Sequence, residues 1–78
     1  MNKYKVIGIR WYENERGKGT IIHYLKEMNG DAKGYEGKTQ FIVGKHIKDI
    51  EPYNEIEFVF DINYKGMPYV VDVKKINN

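Results

Sequence analysis

Nucleophilic catalysis needs a hydroxyl or thiol held beside a base, and this sequence offers few of either. It has no cysteine and no serine, so Thr20, Thr39 and the tyrosines carry its only hydroxyl side chains. His23 and His46 are its only imidazoles. His23 falls inside a β-like run and His46 at the start of a short amphipathic stretch. A Ser/His/Asp arrangement is impossible here, and a Thr/His one lacks an orienting third group. Glu55 and Glu57 lie two apart, which is the spacing of one solvated strand face. The glycines of "GKG" (17–19) and "GYEG" (34–37) open no helix after a strand and lack the lysine of a phosphate-binding loop. Neither histidine has a carboxylate at a familiar metal spacing. The sequence is that of a non-catalytic chain with no cofactor and no metal.

Binding chemistry has more of its parts. Single-stranded nucleic acid is held by cations that meet phosphates and by aromatic rings on which bases stack. The stretch "RWYENERGKGTIIHY" (10–24) sets two rings before a basic turn and two more after it. The candidate cations are Arg10, Arg16, Lys18, Lys26, Lys38 and Lys65. The candidate rings are Tyr12, Tyr24, Phe41 and Tyr64, with Tyr69 on a neighbouring strand. A structural assignment competes at each position. Tyrosines in small β-domains often pack the ring and wet the hydroxyl, and Trp11 and Phe41 are expected in the core. Alternation would set Ile7, Ile9 and Trp11 inward, displaying Arg10 and Tyr12. It sets His23 opposite Tyr24, so an inward His23 leaves Tyr24 displayed.

Charge and length bound these possibilities. Seventy-eight residues make one domain, residues 1–78, with a thin core. Net charge is +2. Residues 1–39 hold eight Lys/Arg against five Asp/Glu, and residues 40–78 hold five against six. Any basic surface is therefore expected in the first half. The start, "MNKYK", lacks the apolar stretch of a signal peptide, and no run approaches a membrane span. A cytoplasmic protein with no membrane partner is expected.

Five β-like runs must position the candidates. The first is Lys3–Tyr12, interrupted by Gly8, as at a bulge or bend. The turn "NERGKG" (14–19) leads to Thr20–Glu27, and the glycine-rich loop 28–37 leads to Lys38–Val43. "GKHIKDIEPY" (44–53) spaces Ile47 and Ile50 three apart before Pro52, which predicts a short helix. The fourth run, Glu55–Ile62, alternates strictly, with Ile56, Phe58, Phe60 and Ile62 on one face. "NYKG" (63–66) reads as a hairpin turn into Met67–Lys75. The order β-β-β-α-β-β predicts an all-β domain, a small five-stranded barrel of OB-fold type with one short helix. An SH3-like barrel, or an open meander that dimerises, remains the alternative.

The run "YNEIEFVFDINYKGMPYVVDV" (53–73) resembles the closing strands of small OB-fold domains. With the aromatic and basic loops, the whole chain resembles the compact single-stranded-DNA-binding proteins of phages and mobile elements. The turn "PYNE" departs from that pattern, which often has Gly-Asp there. The resemblance implies that Tyr12, Tyr24, Phe41 and Tyr64 stack on bases while Arg10, Arg16, Lys18 and Lys65 meet phosphates of single-stranded DNA or RNA. A protein-protein module of the same origin, an inhibitor or adaptor of a host protein or a homodimer, is the competing class, because exposed tyrosine and arginine also make interface hot spots.

Overall fold

A computed structural model describes residues 4–76. Five strands form: β1 (Tyr4–Asn14), β2 (Gly17–Glu27), β3 (Tyr35–Val43), β4 (Glu55–Ile62) and β5 (Pro68–Lys75). Lys3, the expected start of the first run, lies outside the described residues. All pairs are antiparallel, in one sheet ordered β3-β2-β1-β4-β5. The domain is all-β, as expected. Among the described residues no ladder joins the edge strands β3 and β5, although their Cα atoms approach within 8 Å. The sheet is thus curled with an open seam, and no ladder closes the expected OB-type barrel. No helix among the described residues is long and apolar enough to cross a membrane.

A bulge in β1 decides which residues it buries. Val6 pairs with Tyr24 and Gly8 with His23, so Ile7 is the extra residue. Val6 and Ile9 consequently both face the core, while Ile7 is exposed. The uninterrupted alternation expected for Ile7, Ile9 and Trp11 is broken beside Gly8. Trp11 does take the core side of the sheet, opposite Thr20, but it is 44% exposed at the core's margin.

Ile22, Ile42 and Ile56 are fully buried at the centre of the core. Each contributes about 1.5–3 kcal/mol relative to an exposed side chain. Three rings close one end. Tyr24 meets Tyr4 and Phe58 edge-on at 5.0 Å from each. Ile47 and Ile50 seal the other side from the β3–β4 connection.

That connection is not the expected helix; residues 44–54 are irregular. Side chains of β1 and β2 occupy the backbone groups that a helix would bond internally. Thr20 Oγ1 donates to Lys45 O (2.8 Å) and accepts from Ile47 N (2.9 Å). Trp11 Nε1 donates to Ile47 O (2.8 Å). Ile47 and Ile50 still reach the core, so the spacing was right about burial and wrong about backbone.

Three strands also extend further than the glycines suggest. The first turn contracts to Glu15–Arg16, with Asn14 Oδ1 accepting from Arg16 N (2.9 Å) and Gly17 at φ +141°. β3 starts at Tyr35, where Tyr35 pairs with Glu27, three residues before the expected Lys38.

Candidate nucleic-acid interface

Directly paired residues in a sheet point to the same face. Arg10 of β1 pairs with Ile21 of β2, and Ile21 pairs with Phe41 of β3. These three therefore form one row on the face away from the core, spanning about 10 Å across two ladder spacings. The next row is Tyr12, Gly19 and Val43, and the row before is Gly8, His23 and Thr39. His23 Nδ1 and the Thr39 hydroxyl lie 3.2 Å apart. His23 faces outward, the reverse of the phase that would display Tyr24.

Tyr12 is laid down on its neighbour. A Cβ on Gly19 would lie 2.5 Å from the Tyr12 hydroxyl and 2.6 Å from Ile42 O. Only glycine permits that approach, and it fixes the ring against the sheet beside Arg10. Phe41 is 54% exposed. It was expected in the core, but its parity with Ile21 and its place on an edge strand put it outside.

The ten predicted residues divide into three groups. Arg10, Tyr12 and Phe41 come together on the solvent face. Arg16, and Tyr64 with Lys65, occupy the β1–β2 and β4–β5 turns. Asn63 Oδ1 holds the second turn by accepting from Lys65 N (2.9 Å) and Met67 N (3.0 Å). There Lys65 Nζ sits 5.7 Å from the centre of the Tyr64 ring. Lys18, Tyr24, Lys26 and Lys38 form the third group and do not join the face. They share the core side of the sheet with Thr20 and Ile22. Tyr24 is the clearest correction, being 8% exposed. Burial is the main cause that pushes its hydroxyl pKa above the ordinary tyrosine value, followed by Tyr4 and Glu36. Lys38 lies 4.0 Å from Glu36, and Lys18 stands opposite Glu13.

Val43, Phe60 and Pro68 join Phe41 and Tyr69 at a second feature, and the sequence did not offer those three as binding residues. An open groove of about 560 Å³ runs along the β3–β5 seam, with Phe41 and Val43 on one side and Phe60, Pro68 and Tyr69 on the other. Strict alternation put Phe60 and Ile62 inward. They are exposed where β4 has left β1, which it meets only at Tyr4–Ile56 and Lys5–Glu55, although Phe58, Val70 and Val73 of the same hairpin still pack against the core. Among the described residues no three His, Asp or Glu side chains gather to hold a metal ion.

Both turns adjoin this groove. Pro68 follows the β4–β5 turn directly. Val43 precedes Gly44, whose N–H donates to Lys18 O (2.8 Å) near the β1–β2 turn. No family model, curated protein or solved structure matches the chain.

Proposed function

We propose that the chain is a non-catalytic binding domain for single-stranded nucleic acid, built as an OB-like barrel left open along the β3–β5 seam. The strand order and the approach of β3 to β5 support that architecture. One observation carries the function. Arg10, Tyr12 and Phe41 share a solvent-facing surface, and basic turns bearing Arg16 and Lys65 adjoin its β3 end. A cation beside exposed rings is what a single strand requires, and the rings ask for no particular sequence. Few cations reach this face, so salt dependence is shallow, with a slope of about 0.7 per phosphate met.

The experiment is a fluorescence titration with a labelled thymidine oligonucleotide, at roughly 50 and 200 mM salt. Micromolar binding that weakens with salt, and weakens further in Arg10→Glu, is expected. No binding by the wild-type chain at either salt overturns the function.

A second reading, a protein-protein module or homodimer, is favoured by a different observation. Phe60, Ile62 and Met67 are exposed on the projecting β4–β5 hairpin, as in a surface that a protein covers. Sedimentation velocity tests it, a concentration-dependent dimer being the outcome that supports it.

A further inference from the structure

We propose that the groove across the β3–β5 seam is a base-stacking subsite, in which unpaired nucleobases lie between Phe41 on one wall and Tyr69 on the other, with Phe60 reaching the groove from the opposite face of the β4–β5 hairpin. The proposal rests on the single-strand function above and names which part of the ligand enters which part of the protein. Three observations converge on it.

The first is charge. None of the side chains lining the groove carries a formal charge. Cations stand outside it, Arg10 beyond Phe41 on the same face and Lys65 in the turn before Pro68. A nucleotide chain has the matching division, with neutral flat bases on an anionic backbone. The opposite rim is acidic. Asp61 pairs with Tyr69 in the β4–β5 ladder, so the two point to the same face. Asp61 repels phosphate. The backbone therefore runs on the Arg10 side, with its bases turned toward β5. Lys45 and Asp72, also at the seam, meet at 2.9 Å, and Lys74 stands near Asp72.

The second is accessibility. Phe41, Phe60 and Tyr69 are each about half exposed or more, at 54%, 62% and 46%. Their faces are open to a stacking partner without rearrangement of the core.

The third is width. A peptide strand inserted between β3 and β5 would need two ladder spacings, about 9.6 Å. The Cα atoms of the two strands come within 8 Å. Where the two strands approach this closely, an occupant lies over the seam, as a flat ring can.

The test compares two probes of equal charge, an oligonucleotide of about 15 thymidines and an abasic strand of the same length. Wild type, Phe60→Ala, Tyr69→Ala, Asp61→Asn and Arg10→Ala are titrated with both. Tyr53→Ala, an exposed ring away from the groove, is the control. Phe60→Ala and Tyr69→Ala are expected to weaken thymidine binding roughly 5- to 100-fold each and to leave abasic binding unchanged. Arg10→Ala weakens both probes, and Asp61→Asn tightens both several-fold. Circular dichroism and thermal melts confirm folding, which exposed positions tolerate.

If Arg10→Ala weakens binding while Phe60→Ala and Tyr69→Ala match wild type, the subsite is wrong and the single-strand function stands. Equal affinity of wild type for thymidine and abasic strands overturns the subsite in the same way. Absence of binding by wild type overturns both. A wild-type dimer in sedimentation velocity that both ring variants disperse also overturns it, and assigns the groove to a second copy of the chain.

Discussion

Gly19 lies directly opposite Tyr12 in the β1–β2 ladder, and the Tyr12 hydroxyl occupies the space a Cβ on Gly19 would need. The ring's position beside Arg10 therefore depends on a missing methyl group. Gly19→Ala is expected to destabilise the fold by about 1–3 kcal/mol, the usual cost of overpacking. Removing the tyrosine does not rescue it, because Ile42 O is backbone and stands 2.6 Å from the same Cβ. Urea denaturation of Gly19→Ala and of Gly19→Ala/Tyr12→Ala checks this. Full recovery in the double variant would show that Tyr12 alone makes the conflict.

Thr20 replaces the predicted helix with an irregular seal. Its hydroxyl is fully buried and serves two backbone groups, Lys45 O and Ile47 N. Thr20→Val keeps the shape and strands both groups. A loss of at least about 2 kcal/mol is expected from the desolvation that is no longer compensated. The reading is again the denaturation midpoint, and an unchanged midpoint would mean that water replaces the hydroxyl.

The same residue explains how far the sequence could be read. Spacing identified Ile47 and Ile50 as buried, but period alone does not tell a helix from a strap held by side chains of other strands. The five runs were legible because β-branched and aromatic residues cluster between turn signals. Tyr24 and Phe41 were assigned to the wrong sides, Tyr24 to the surface and Phe41 to the core. Their phase is set by which of Ile21 and Ile22 faces in, and two adjacent isoleucines give no sign of that. The exposure of Phe60 and Ile62 was hidden for another reason. Their alternation with Ile56 and Phe58 is intact in the sequence, which shows neither the short β1–β4 pairing nor the register shift between Val59 and Phe60.

Tyr53 adopts φ +73° with an exposed side chain. It falls in the "PYNE" segment, residues 52–55, just before and at the start of β4. A left-handed conformation costs an L-residue about 1–2 kcal/mol, and glycine returns part of that gain through its greater unfolded entropy. Tyr53→Gly is expected to raise stability by up to about 1 kcal/mol. A lower thermal midpoint would show that the tyrosine ring contributes more than the strain removes.

Alkaline pH should find Tyr24. Its folded pKa is raised by burial above the unfolded value. The neutral form is favoured in the fold, so its contribution is complete below about pH 10, the ordinary tyrosine value. It is lost as pH rises through the folded value. Spectrophotometric titration should show Tyr24 ionising late, together with loss of structure. Tyr24→Phe should remove that late step and hold its fold to higher pH. Identical alkaline unfolding of wild type and Tyr24→Phe would contradict the buried placement.

Acid should act at the seam, where Lys45 Nζ meets Asp72 Oδ2 at 2.9 Å, the one ion pair described between the end of β3 and β5. The Lys45 hydrogen bond is the first cause holding the Asp72 carboxyl below its ordinary value, against a smaller opposing effect of burial. A lowered folded pKa favours the charged form. Its stabilisation is present above about pH 4, the unfolded value, and is lost as pH falls below it. Both side chains are nearly half exposed, so solvent screening limits the pair to about 1 kcal/mol or less. Asp72→Asn should therefore lower stability slightly at pH 7 and flatten its fall below about pH 4. Raising salt should weaken wild type toward the variant. If the two proteins unfold with the same pH profile, the seam is held by packing of Val73 and Val70 alone and the ion pair contributes nothing.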